Sequence, residues 1–408
     1  MPTNPGLRVY RLAFRALFAF ALVASVLLPA RRAAAQAKPS TPDVLILANG
    51  DRITGKFVHE VGGTVTFHDD ILGDISVPWA KVSELHTGSR VVVLTHAITA
   101  RHLHQLPADL PQGTVAIANG MVTVNPGTDA TIAPIPVANA QYIVDEADLQ
   151  KQLFGHPSFT QGWNGGATVG ITAVKATQNQ FSMATSLALV RTIPTANWLS
   201  PRNRSELDFA QSYGKITQPA YTLPGGVVVP STYTKSSILH FGGERDEYVS
   251  ARAYYLGTVA FDHNYSQSLD LQQIYGGGIG YTAVKSPRQE LDLKAVVQFE
   301  RQSFSNVLPP SPSTHNLIGS TFGASYLRHV TKGILFTQQA LYIPAWNDTS
   351  AWSFNESDTL TLPAYKNFSF SLGTLDTYLN DVPATLPPTQ KNSFQFTTGI
   401  TYNIKSSY

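Results

Sequence analysis

Cysteine is absent from this chain, which excludes disulfide staples, thiolate metal centres and a cysteine nucleophile. Charge is scarce as well. Asp, Glu, Lys and Arg make up 14% of the 408 residues, well below the ~25% usual in soluble domains. Ser, Thr, Gln, Asn, Gly and Tyr fill the places that charge leaves. That mixture suits a sheet with one apolar face and one uncharged polar face, and suits a helical enzyme poorly. A basic stripe is also missing, so nucleic acid is not an expected partner. Outside the N-terminal region no apolar run is long enough for a spanning helix, which needs ~20 residues. Any membrane crossing by the rest of the chain must therefore use strands. Those strands must close into a barrel, because each backbone polar group needs a partner in lipid.

The N-terminal exception, residues 1–37, reads as a signal peptide. Arg8, Arg11 and Arg15 form a positive segment, Ala16 to Ala30 is apolar, and Arg31-Arg32 closes it. Ala33-Ala34-Ala35 and Ala35-Gln36-Ala37 offer small-x-small cleavage sites. Without these five arginines the 29 basic residues fall to 24, against 27 acidic ones, a net charge of about −3.

Residues 43–150 read as a small β domain, expected in the periplasm. Val44 to Leu47 is an apolar strand followed by the Asn49-Gly50-Asp51 turn, and Gly62-Gly63 marks another. Short bent strands with glycine turns fit an SH3-like barrel. Gly63-Thr64-Val65-Thr66-Phe67 is echoed by Gly120-Met121-Val122-Thr123-Val124, and Ile75-Ser76-Val77-Pro78 by Ala133-Pro134-Ile135-Pro136. Two similar small barrels in tandem would account for the echo. Trp79 reads as a core anchor and Asp145 to Phe154 as a short charged helix or linker. His96, His102 and His104 form a cluster with metal-ligand chemistry, but a polar surface strand or loop is the better reading. His68-Asp69-Asp70 is better read as a turn than as a weak cation site.

From residue 160 to 408 the pattern changes to long alternation. Phe394, Phe396, Thr398, Ile400, Tyr402 and Ile404 share one face, against Ser393, Gln395, Thr397, Gly399, Thr401 and Asn403. Leu291, Leu293, Ala295, Val297 and Phe299 alternate with Glu290, Asp292, Lys294, Val296, Gln298 and Glu300. Strands of about 10 residues, apolar outward and polar inward, characterise an outer-membrane barrel; soluble strands are usually nearer 5–6. About 12 segments are expected, near 163–174, 180–192, 204–216, 233–243, 248–263, 270–284, 289–304, 316–329, 333–345, 351–362, 366–379 and 393–404. An even count places both ends on the periplasmic side. Ile193 to Arg202, Gln218 to Ser231 and Val307 to Ser313 are expected as outer loops. Trp163, Trp198, Trp346 and Trp352 are expected in the aromatic girdles, and Glu206, Asp208, Arg252, Lys294, Glu300 and Arg328 in the lumen.

The segments NGDRITG, GDISVPWAKV, Gly162-Trp163-Asn164-Gly165, DHNYSQSLDLQQIYGGGIGY and TTGITYNI resemble the salt-induced outer-membrane protein (YdiY-like) family. The resemblance implies fold and location and supplies no catalytic residues. A lipid hydrolase would need Ser and His in proton-transfer reach. The nearest candidate, His263 with Ser266, has a spacing of three, which puts the two on opposite strand faces. Gly276-Gly277-Gly278-Ile279-Gly280 lacks the Lys-Ser/Thr of a phosphate loop and fits a crowded strand.

The expected protein is an all-β, non-enzymatic outer-membrane barrel with an N-terminal SH3-like domain and no catalytic, cofactor or metal residues. Its partners would be membrane lipid, the barrel assembly machinery during biogenesis and, through residues 43–150, peptidoglycan or another envelope component. An envelope-stress or structural role is the first reading, a narrow porin-like channel for small solutes the second.

Overall fold

The computed structural model describes residues 42–96, 98, 105–127, 131–175, 179–196, 198–222, 226–331, 333–384, 391–406 and 408. The expected leader and the histidines at 102 and 104 lie outside them. Among the described residues no helix is long and apolar enough to cross a membrane. The chain divides into two units, one formed mainly by residues up to Ala147 and one by the rest.

The first unit has ten strands: β1 (Asp43–Leu47), β2 (Arg52–Val61), β3 (Thr64–Asp69), β4 (Gly73–Pro78), β5 (Val82–His86), β6 (Val91–Leu94), β7 (Gln112–Ala118), β8 (Met121–Asn125), β9 (Ile135–Pro136) and β10 (Tyr142–Asp145). In the first five, β1 pairs with β2 and β5, β2 with β3, and β3 with β4. The second five pair in the same pattern, β6 with β7 and β10, β7 with β8, and β8 with β9. The halves are joined by exchange, β5 with β7 and β10 with β2.

Local chemistry explains the matching halves. Pro78 and Pro136 each stand before a one-turn 3₁₀ helix, with φ of −57° and −58°, the value to which the ring locks proline. Gly55 and Gly113 lie where a Cβ would meet a carbonyl oxygen of the neighbouring strand, at 2.2 and 2.1 Å. Leu45, Phe57, Val65, Phe67, Leu85, Ile117 and Ile143 fill one core, with Trp79 packed against it as expected. Buried Asp43 is stabilised by accepting from the amides of Phe57 (2.7 Å) and Gly88 (2.6 Å). His68-Asp69-Asp70 forms a turn in which Asp69 Oδ1 accepts from the Ile71 and Leu72 amides, bonds that hold its carboxyl below the usual range.

In the second unit, twelve antiparallel strands close into a barrel. They are β11 (Trp163–Lys175), β12 (Asn179–Ile193), β13 (Asn203–Gln218), β16 (Thr232–Tyr248), β17 (Ala253–Asn264), β18 (Leu269–Lys285), β19 (Gln289–Phe304), β20 (Thr314–Thr331), β21 (Ile334–Pro344), β22 (Trp352–Tyr365), β23 (Phe368–Leu379) and β24 (Asn392–Lys405). β24 returns to pair with β11, so no barrel strand presents an open edge. Between β13 and β16, β14 (Tyr221–Thr222) and β15 (Val228–Val229) make a small hairpin. Each barrel strand falls on one of the expected segments. The clearest boundary difference is β17, which starts at Ala253 because Ser250 Oγ accepts from the Arg252 and Ala253 amides and turns the chain.

Strand parity corrects one expectation. Connections after even-numbered crossings lie at the end that holds both chain ends. Ile193 to Arg202 follows the second crossing, so it sits at that end, opposite the 219–231 and 305–313 connections. There it meets helix α1 (Glu146–Phe154): Gln152 Oε1 accepts from the Thr195 amide at 2.9 Å, and Arg202 donates to the Leu153 carbonyl at 3.1 Å. Tyr408 donates to the Lys151 carbonyl at 3.1 Å, fastening the C-terminus to the same helix.

The outward face is apolar, with Tyr255, Ile279, Leu293, Val297, Phe322, Phe370, Phe396 and Ile400 exposed. This band and the closed ladder identify an outer-membrane barrel. Trp346 is exposed, but Trp163 is 4% exposed and lies beside Arg191, so it is buried and takes no place in a girdle. Within the outward face, the register puts Glu356 beside Asp376 and Asp358 beside Thr374, between the Phe354–Tyr378 and Leu360–Leu372 pairs. Gln338 donates to Glu356 at 3.0 Å and Thr374 to Asp358 at 3.2 Å.

Candidate functional site

Charge is concentrated on one wall of the lumen, made by β13 and β16 to β19. Alternation turns Arg204, Glu206 and Asp208 inward on β13, paired in register with Asp246, Glu244 and Gly242 on β16. Arg204 is the hub. Its Nε lies 2.7 Å from Asp246 and 3.1 Å from Glu206, and its Nη1 lies 2.6 Å from Asp292 and 3.4 Å from Glu290. Asp292 and Glu290 belong to β19, four strands further round the ladder, so the guanidinium spans a chord of the lumen. Lys294 spans a second chord to Glu244 at 2.6 Å.

Neighbouring residues are shaped to hold Arg204. Its face lies over the Tyr254 ring at 5.3 Å from the centroid, and Nη2 donates to the Tyr254 hydroxyl at 3.3 Å. Tyr254 fits because Gly280 is opposite: a Cβ at 280 would stand 2.2 Å from the ring. The glycine-rich segment 276–280 is thus a strand with room made for lumenal side chains, as the sequence suggested. Thr282 donates to Asp292 Oδ1 at 2.6 Å. Asp246 is 0% exposed, and its Oδ1 has no hydrogen-bond partner among the described residues. Removing a carboxylate from water without full compensation is costly, so this position depends strongly on Arg204.

Two further clusters share the wall. His240 bridges Asp208 (Nε2, 2.5 Å) and Asp262 (Nδ1, 2.6 Å). Buried Glu300 accepts from Gln302 at 2.6 Å and from Gln272. The opposite wall carries small groups: Thr168, Ser186, Ser357, Thr359, Ser371, Gly373, Gly399 and Thr401 occupy its inward register positions.

Of the lumenal residues expected from sequence, Glu206, Asp208, Lys294 and Glu300 face inward. Arg252 does not; it is exposed in the turn before β17. Arg328 does not either, because it lies on the outward row of β20 with Phe322 and Tyr326 and is paired with Phe336. The register adds Arg204, His240, Glu244, Asp246 and Asp262 to the lumenal set; the sequence reading omits them, although Arg204-x-Glu206-x-Asp208 and Glu244-x-Asp246 carry the needed two-residue period. His263 and Ser266 stay apart: His263 Nδ1 meets the Asp270 carbonyl at 2.8 Å, and Ser266 meets Ser236 at 3.4 Å. Among the described residues no group of three or more His, Cys, Asp or Glu is arranged to hold a metal ion.

A family model described as protein of unknown function, DUF481, matches residues 168–404, most of this barrel. The chain belongs to the DUF481 family. The YdiY-like resemblance read from sequence is consistent with that membership. No curated protein matches this DUF481 chain. Among solved structures it is similar to the NanC porin, at 8% identity and a TM-score of 0.33, covering 59% of this chain and 100% of the porin. An outer-membrane channel from Pseudomonas putida F1 matches at 14% identity and a TM-score of 0.33, covering 61% and 99%. A bacterial polysaccharide outer-membrane secretin matches at 10% identity and a TM-score of 0.27, covering 60% and 97%.

Proposed function

We propose that this protein is a non-enzymatic, narrow outer-membrane pore that favours small cations. The observation that carries the reading is the charge imbalance of the lumen. Glu206, Asp208, Glu244, Asp246, Asp262, Glu290, Asp292 and Glu300 face inward, against Arg204, Lys294 and the imidazole of His240. Acidic pore linings concentrate and pass cations. The Arg204 and Lys294 chords narrow one side, leaving the Ser, Thr and Gly wall as the path. A 12-strand barrel has a bore between side-chain-filled small barrels and open porins.

In the same reading both chain ends lie in the periplasm after removal of residues 1–37, and residues 43–150 hang there as one domain built from two copies of a motif. That domain would contact peptidoglycan or another envelope component. The experiment is the reversal potential of the full-length mature protein in planar bilayers under a potassium chloride gradient. Cation preference, reduced by combined Glu206→Gln and Asp208→Asn, is the expected result. Anion preference would overturn the cation selectivity, and absence of any current would overturn the pore and return the barrel to a purely structural role.

A further inference from the structure

The end of the barrel opposite both chain termini is crossed by described parts that reach from one wall to the other. The β17–β18 turn, Tyr265–Gln267, is a 3₁₀ turn capped by Asn264, whose Oδ1 accepts from the Ser266 and Gln267 amides. Asn264 Nδ2 also donates to Gln267 Oε1 at 2.8 Å, fixing the side chain. Gln267, 2% exposed, then donates Nε2 to the carbonyls of Thr377 (3.2 Å) and Lys391 (3.0 Å). Thr377 lies on β23 and Lys391 just before β24, about half the ladder away from β17 and β18.

An apolar cluster spans the same gap. Leu269 and Phe304, from β18 and β19, pack with Leu379 of β23, and Val307 and Val382 pack against them. The connecting loops meet above, where the Leu308 amide donates to the Ala384 carbonyl at 2.8 Å. Below the closure the inward wall is polar again, starting with Asp262 and His240. A polar, hydroxyl-lined lumen ending in a dry apolar plug is the arrangement of a hydrophobic constriction, which blocks ions until it is wetted or moved.

We propose that this closure is a gate, with Gln267 as its latch. The two latch bonds are to the backbone carbonyls of Thr377 and Lys391, so the turn can release while the barrel ladder stays intact. The gate rests on the pore reading only for its purpose, and its movement can be read without any current.

The chain has no cysteine, so Ala260→Cys places a single thiol on the lumenal face of β17, beneath the closure. Its rate of labelling by a membrane-impermeant maleimide is measured in the full-length protein in vesicles, alone and combined with Gln267→Ala or Gln267→Glu. The second variant keeps the side-chain size but replaces the donor with an acceptor facing two carbonyls. Both should label at least about tenfold faster than the latched protein while remaining heat-modifiable barrels. Rates within twofold of the parent in both would overturn the gate. Faster labelling with no bilayer current would uphold the gate and reject the pore. Faster labelling with a raised cation current supports both.

Discussion

Replacing Arg204 with Met keeps most of the apolar stem but removes the guanidinium that holds Asp246 and Asp292. Those carboxylates are 0% and 8% exposed, and neither can turn to water without displacing β16 or β19. Leaving a buried charge without its partner costs about 3–5 kcal/mol. The contacts to Glu206 and Glu290 add little, because those side chains are 31% and 38% exposed and solvent screens them. The expected loss is therefore about 3–5 kcal/mol, carried by two residues. It would be measured as urea unfolding of the refolded protein in lipid vesicles, following loss of the compact gel band. Adding Asp246→Asn and Asp292→Asn to Arg204→Met should restore at least half the loss, since neutral amides no longer need the cation. A loss under about 1 kcal/mol, or a triple variant no better than the single, would refute the hub.

Gly280→Ala puts a methyl into the Tyr254 ring and should cost about 1–3 kcal/mol in the same assay, whereas Gly257→Ala, with open space around it, should cost little. Asp376→Leu removes an outward carboxylate, whose Oδ1 has no partner among the described residues, from the apolar band. It should stabilise the barrel by on the order of 1 kcal/mol, read as a higher temperature for the gel-band transition. In the first unit, burial holds the Glu60 carboxyl above its usual range, partly offset by the Gly63 amide. The folded state then binds the proton more tightly than the unfolded state, so this group's stabilisation is full at acid pH and fades as pH rises through the folded value. Glu60→Gln should raise the urea midpoint for proteolytic protection of the first unit at pH 7 and leave it nearly unchanged at pH 4.

Long alternation made the barrel legible. Strands of 11 to 18 residues give many repeats of the two-residue period, so each barrel strand was visible from sequence. The side of the Ile193 to Arg202 connection was not, because proline content and length say nothing of parity, whereas counting crossings does. The charged wall was half legible. Glu206, Asp208, Lys294 and Glu300 could be placed by alternation alone, yet the Arg204 and Lys294 chords depend on which strands face each other across the lumen. Arg328 went wrong for a related reason: its face is set by Phe322 and Tyr326 on the same strand, and a lone charge does not reveal it. In the first unit, the sequence echo carries the paired Pro78 and Pro136. The exchange of β5 and β10 between halves is a non-local pairing that no local pattern encodes.

The closed outer-membrane barrel is tested most directly by a heat-modifiability gel on outer-membrane fractions of cells producing the full-length chain. A compact band that shifts only on boiling, recovered with the outer membrane, is the result the closed β11–β24 ladder requires. An unshifted band in the soluble periplasm would contradict it, and with it the lumen, its charge and its gate.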